Sequence, residues 1–446
     1  MTVAAEETSV FPRLLDLDYP NVERGEGVRL YTTDGREVLD ACSGGAMVAC
    51  LGHGVREIVA AAAAQAERIT YVYNHHFTND RQEELAERLL TTVAPAMARV
   101  RFVSGGSEAN ESALRLARQY HVERGDSARW RVISPAQAYH GATMAALALT
   151  GRPSLQGPYA EYLSAHAHIP PAGARRDPTG EAALAALDAA IDAAGPDTIA
   201  AFLCEPVSGA ALPAYSPPDA FWAGVAERAR RHGFLIVLDE IVAGMGRTGS
   251  WLASDQLPIE PDIVSAGKGM GAGYAPLAAA MCKPHVYEPI AAGSRLFDLG
   301  HTWDGAPLPC AVGLAVLDYI ESHGLVERVR QRGPALREQL AAALAGNELV
   351  GEVRGRGFLL GVELVDPRDG TSLLPAPLDV AELVDQTAFE RGVLVTSSHS
   401  TPDGFASEQT LLAPAYTSTD EELEAMVERF AAALADVEGT VKERLA

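Results

Sequence analysis

Residues 219–241, DAFWAGVAERARRHGFLIVLDEI, constrain the fold more than any other stretch, because they join two periodicities that one local structure cannot satisfy. From Asp219 to His232 apolar residues recur at helical spacing, with Asp219 near the start and Gly233 where a helix commonly ends in left-handed backbone. Phe234–Leu238 follows at once as an unbroken apolar run, the pattern of a strand buried on both faces. Similar runs span Val100–Val103, Trp130–Ile133, Ile199–Leu203 and Pro276–Met281, and further amphipathic helices are predicted over Arg56–Ile69 and Arg81–Val93. Helix followed by buried strand, repeated through the middle of the chain, predicts an α/β fold with a mostly parallel sheet.

The outer portions differ. Gly27–Leu39 reads as a hairpin turned at Asp34-Gly35, and from Leu314 onward long helices alternate with the short apolar segments Leu359–Leu364 and Val393–Thr396. We expect a smaller α+β domain built from both chain ends, with residues 1–54 and 313–446 flanking a large domain at 55–312. A net charge of −23 argues against a nucleic-acid partner, which needs a concentrated positive surface, and disfavours anionic lipid. No apolar run approaches the roughly 20 residues that cross a bilayer. Met1–Glu7 lacks the basic and apolar regions of a secretory signal, and the five cysteines are scattered without a CxxC. A cytoplasmic protein with reduced thiols and no membrane association is expected.

Four constellations fall at or near the carboxyl ends of predicted central strands, where open α/β sheets hold ligands. Ser104-Gly105-Gly106-Ser107 precedes a helix predicted over Glu108–Val122, with Ser107 as its N-cap. It reads equally as an anion cradle or an ordinary strand-to-helix turn. Asp239-Glu240 ends the FLIVL run, where a carboxylate needs a positive partner; a protonated ring nitrogen or a structural ion pair would serve. Lys268, between Gly267 and Gly269, is either a desolvated nucleophile or a surface loop lysine. Tyr139-His140-Gly141 offers an aromatic ring to a planar ligand. His140, His75 and His76 read as packing or polar-contact residues, and no metal site is expected. Gly244–Gly249 satisfies GxGxxG, but its first glycine is not at a strand end and no helix clearly begins there. Lys268 also misses the P-loop pattern, because Gly269 follows it instead of Ser or Thr.

SGGSEAN, YHG, CEPV, LDEIVAGMGRTG, AGKG, GHTWDGAP and VRGRGFLLGVEL, in this order, resemble the class III (omega) aminotransferases, pyridoxal 5′-phosphate (PLP) enzymes of fold type I. The resemblance runs from Gly25 to near Pro414. It implies that Lys268 holds PLP as a Schiff base, that Asp239 pairs with the pyridine nitrogen, and that Gly106 and Ser107 bind the phosphate. It further implies that Tyr139 and Ile241 cover the two ring faces, that His140 lies in the cofactor site, and that Glu205 lies toward the substrate. Thr302 would reach the phosphate of the neighbouring subunit, giving a homodimer with active sites at the interface. The expected reaction is transamination of an amine or omega-amino acid with a pyruvate-like keto acid through pyridoxamine phosphate; decarboxylation, racemisation or aminomutase chemistry is the alternative within the same fold.

Four departures stand out. Val242 occupies a position where the family often has Gln, Pro414-Ala415 replaces the common Pro-Pro, and Asp304 stands where Ser or Gly is usual. Residues 396–412 contain no arginine, although a mobile arginine thereabouts binds the substrate carboxylate in omega-amino acid:pyruvate members. Carboxylate recognition must then come from another arginine, or the amino donor lacks a carboxylate near the reacting carbon.

Overall fold

A computed structural model describes residues 2–3, 8–15, 17–172, 177–401 and 404–446. The helix predicted at Asp219–His232 has those bounds, and Gly233 ends it at φ +74°, its N–H donating to Ala229 O at 2.8 Å. The strand after it is Leu235–Asp239, one residue later than predicted, because the ladder runs on through Asp239 opposite Ser265. All five of its residues are buried.

Numbered along the chain, the central strands are β1 (Arg99–Val103), β2 (Arg131–Pro135), β3 (Ala167–Ile169), β4 (Ile199–Cys204), β5 (Leu235–Asp239), β6 (Ile263–Ala266) and β7 (Ala278–Cys282). They form one seven-stranded sheet in the order β1-β7-β6-β5-β4-β2-β3. β7 is antiparallel to both neighbours; every other pairing is parallel. The carboxyl ends of β1, β2, β4, β5 and β6 therefore share one edge.

The chain ends meet. The hairpin pairs Arg29–Thr32 with Glu37–Asp40 around Gly35 (φ +89°), and Val393–Leu394 then adds parallel to Glu37–Asp40. The predicted Val393–Thr396 strand is divided: Thr396–Ser398 leaves that sheet and pairs with Gln409–Leu412 in a second four-stranded sheet. A single apolar cluster joins Leu39, Leu51 and Ile58 to Leu340, Phe358 and Phe430. The closing helix, Asp420–Leu445, starts with a reciprocal cap in which Thr419 N–H donates to Glu422 and Glu422 N–H to Thr419 Oγ1. Among the described residues no helix is long and apolar enough to cross a membrane.

The GxGxxG stretch has a structural use. Gly246 (φ +94°) and Gly249 (φ +87°) turn the backbone so that Arg247, 1% exposed, points inward. Its guanidinium donates to Phe358 O, Pro414 O and Ser43 Oγ and lies 4.8 Å from the Tyr416 ring centroid. No helix opens behind these glycines; a short 3-10 turn, Ala253–Gln256, comes next. One side chain thus ties the segment after β5 to both chain ends. Arg247→Met, which keeps the bulk and removes the fork, should cost about 3 kcal/mol because three buried acceptors lose their donor. A urea titration should show a lower midpoint, and a midpoint equal to wild type would contradict this account.

Candidate active site

The edge at the carboxyl ends of the parallel strands collects the residues singled out from the sequence. Asp239 ends β5 and is 4% exposed. Its Oδ1 accepts from Ile241 N–H at 3.0 Å, and its Oδ2 accepts from Asn110 Nδ2 at 2.7 Å and lies 2.9 Å from His140 Nδ1. Asn110 also donates to His140 O at 2.7 Å, and its own oxygen takes the Ser265 hydroxyl. The carboxylate is thus fixed from three directions, with His140 lying behind it. Sequence reasoning placed His140 in this neighbourhood but missed Asn110.

The helix after β1 spans Gly106–Glu123 instead of the predicted Glu108–Val122, and Gly105 takes the capping position. Ser107 is therefore not the N-cap; it lies inside the first turn, and its hydroxyl accepts from Ala142 N–H at 3.0 Å. Glu108 does the capping: one carboxylate oxygen takes the N–H groups of Ser104 (2.9 Å) and Gly105 (3.1 Å), while the other lies 2.7 Å from His301 Nε2. The N–H groups of Gly106 and Ser107 meet no acceptor among the described residues, which leaves two donors at a helix start for an anion. The YHG and SGGS motifs abut here. Gly141 has φ +139°, and a Cβ on it would come within 2.5 Å of Ser107 Oγ.

Lys268 follows β6 on strained backbone, φ +44°, an uncommon conformation for a side-chain-bearing residue. Its carbonyl accepts from Gly271 and Ala272, closing a tight turn. The flanking glycines allow close approach. A Cβ on Gly267 would sit 3.1 Å from Ile241 Cδ1, and one on Gly269 would sit 3.0 Å from Met245 Cβ. Burial holds the amine below the ordinary lysine pKa, with Asp239 and then Glu205 pulling the other way. Ile241 also packs on Gly106, at 3.0 Å from where its Cβ would be, so one side chain touches both the helix start and the lysine turn.

Glu205 follows β4. Its carboxylate takes Gly209 N–H at 2.9 Å and Tyr139 N–H at 3.2 Å, and burial raises its pKa. It therefore holds the turn that carries Tyr139, a residue that is itself 40% exposed. Glu240, fully buried, takes Ala253 and Ser254 N–H groups, and burial pushes it up to about 7. Thr302 stands apart on an exposed turn, and among the described residues no hydrogen bond ties it to Lys268 or Asp239. His75 and His76 pack with the Tyr73 ring.

The departures are also visible. Val242 packs against Gly209, so an apolar group fills that position. Asp304, 5% exposed, pairs with Arg101 at 2.8 Å and takes a hydrogen bond from Asn74. Pro414 supplies its carbonyl to Arg247.

A depressed amine, an oriented buried carboxylate and two unpaired amides at a helix start fit the aldehyde, ring nitrogen and phosphate of PLP. Comparison with known proteins agrees. The family model Aminotransferase class-III matches residues 16–434. The chain is 32% identical to the Bacillus subtilis aminotransferase YodT, over 95% of this chain and 97% of that one. It superposes on an (S)-enantioselective omega-transaminase from Thermomicrobium roseum with a TM-score of 0.89 (32% identity; 97% and 98% of the two chains). For the omega-transaminase of Pseudomonas jessenii in complex with PMP the TM-score is 0.90 (30% identity; 98% of both chains).

Asn110→Ala should leave Asp239 Oδ2 with His140 alone and loosen the carboxylate. A fall in kcat of about tenfold is expected, the size of one charge-assisted hydrogen bond. Bound cofactor should also wash out faster in dialysis, and unchanged retention and kcat would show that Asn110 only packs.

Proposed function

The chain belongs to the class III aminotransferases, and from that premise we propose that Lys268, Asp239 and the Gly106-Ser107 helix start together hold and use its PLP. The enzyme itself is a fold type I aminotransferase that moves an amino group from an amine or omega-amino acid to a keto acid. When bound, PLP supplies an aldehyde for the amine, a ring that accepts the electrons of the substrate carbon, and an aminated form that stores nitrogen between half-reactions.

The residues divide the remaining work. Lys268 Nζ is the group that takes PLP, and its lowered pKa favours the neutral amine that attacks an aldehyde. Once displaced by substrate, Nζ is the base that removes the proton from the amine-bearing carbon and the acid that returns it. Asp239, oriented by Asn110, His140 and Ile241 N–H, keeps a proton on the facing ring nitrogen. The Gly106 and Ser107 amides hold the phosphate, Ile241 and Tyr139 bracket the ring, and Glu205 positions Tyr139. The carrying observation is the convergence of Lys268 and Asp239 on one sheet edge beside the unpaired helix amides.

The same reading extends to assembly. Thr302 of the partner subunit completes the phosphate site, in a homodimer. Exposed Phe77, Leu296 and Trp303 support a face that a second copy covers. We divide the chain into 1–54 and 313–446 as one domain and 55–312 as the PLP-binding domain, and assign the protein, with its five buried free thiols, to the cytoplasm.

Adding an amine donor to the holoenzyme should convert its absorbance stoichiometrically to that of the aminated cofactor, and pyruvate should reverse the change. Lys268→Ala should lose the lysine-bound absorbance altogether, and a variant that kept it would defeat the assignment. The pH dependence has a defined sign. Because burial lowers Lys268, capture of PLP by the apoenzyme should reach half-maximum below pH 10.5. Asp239→Asn removes the leading opposing charge and should move that midpoint lower still.

A further inference from the structure

Arginines that could read a carboxylate are mostly engaged. Arg354 pairs with Glu352 and Glu363, Arg391 with Asp436, and Arg101 with Asp304, while Arg247 is held by carbonyls and Ser43. Arg13, Arg56, Arg115 and Arg295 make no such contact among the described residues but are exposed; Arg152 is set apart by lying beside the turn that carries Tyr139. It is only part-exposed, yet among the described residues its guanidinium makes no hydrogen bond and no ion pair. No nitrogen of that guanidinium is both fully buried and unpaired, so it stays in contact with solvent and is free to take an anion that arrives from outside.

Its place is fixed by backbone. Gly151 N–H donates to Ala138 O at 3.0 Å, and Gly151 O accepts from Gln137 N–H at 2.7 Å. Thr150 Oγ1 accepts from His140 N–H at 3.0 Å and donates to Gly141 O at 3.2 Å. The contact is so close that a Cβ on Gly151 would meet Ala136 Cα at 2.6 Å. Residues 150–152 are therefore laced to the turn that carries Tyr139, and Arg152 is the first long side chain beyond the lacing. Its electrostatic neighbours are Arg13, Tyr139 and Glu205. Glu205 is not its partner, since those carboxylate oxygens are occupied by the Gly209 and Tyr139 N–H groups. Arg13 adds a second positive charge. Burial, with Arg13 next, holds Arg152 below the ordinary arginine pKa, as expected for a cation that lacks its counter-ion.

We propose that Arg152 binds the carboxylate of a keto acid or amino acid substrate, taking the task for which residues 396–412 supply no arginine. The inference rests on the transaminase reading and narrows it: one substrate of each pair carries a carboxylate that docks on the Tyr139–Glu205 side of the site. A guanidinium suits this role because its planar fork gives two parallel hydrogen bonds to a carboxylate, which an ammonium cannot.

The test uses holoenzyme first loaded with amine, then mixed with pyruvate or with propanal, an acceptor without a carboxylate. For Arg152→Gln the ratio of kcat/KM for pyruvate to that for propanal should fall on the order of 10- to 100-fold, the range for losing a charged hydrogen bond. The loss should sit mainly in KM. Arg152→Lys, which keeps the charge without the fork, should recover part of it. PLP dissociation is measured alongside, because the cofactor phosphate is the other anion in reach. If both variants lose pyruvate and propanal turnover in equal proportion, or release PLP faster with the ratio unchanged, the carboxylate site is overturned while the transaminase reading stands. Wild-type enzyme that reacts with neither acceptor overturns that reading and, with it, this proposal.

Discussion

The site depends on how a carboxylate is kept at the buried end of β5. Removing Asp239 from water would be too costly if it were merely enclosed. Asn110 and His140 meet one oxygen and the Ile241 N–H meets the other, so the group is solvated by fixed protein dipoles. That solvation reaches across the sheet edge. Asn110 comes from the helix whose first amides form the anion site, and His140 from the turn that carries Tyr139. Ile241 follows Asp239 itself and packs on both Gly106 and Gly267. Moving Asp239 would thus disturb the phosphate cradle, the aromatic turn and the lysine turn together.

Lys268 shows the opposite strategy. Its backbone sits in the left-handed region and its amine is pushed below the ordinary value, so both conformation and charge are held away from their resting preferences. Neighbouring packing sustains this, through Ile241 on one flanking glycine and Met245 on the other. The carboxylate is stabilised where it stands, whereas the amine is left wanting a partner. That asymmetry suits an electrophile that binds covalently at one end and donates a hydrogen bond from a protonated nitrogen at the other.

Much of this was legible in the sequence, and the exceptions have physical reasons. Asp219–His232 could be read because apolar spacing and a terminal glycine are local signals. The motif order located Lys268, Asp239, Glu205 and the helix start, and the structure brings Asp239, Gly106, His140 and Ile241 into one contact network. Ser107 was misplaced as a cap because the decisive group is the side chain of Glu108, which reaches back to Ser104 and Gly105. Asn110 had a signal that went unread: it is a polar residue on the helix face shared with Ala113 and Ala117, where a buried amide needs partners. The split of Val393–Thr396 between two sheets was not readable, since both halves look extended and only their partners differ.

Arg247 and Arg152 are both removed from water to a degree, and the contrast between them bears on what the chain has been shaped to do. Arg247 is buried more completely, and three oxygen acceptors meet its terminal nitrogens while an aromatic face lies against it, leaving Nε without a partner among the described residues. Arg152 has a rigid mount, a second guanidinium nearby and no acceptor. A guanidinium on a rigid mount beside the site, open to solvent and without an internal acceptor, is the form a specificity determinant takes, because its paired hydrogen bonds are made only when the matching anion binds.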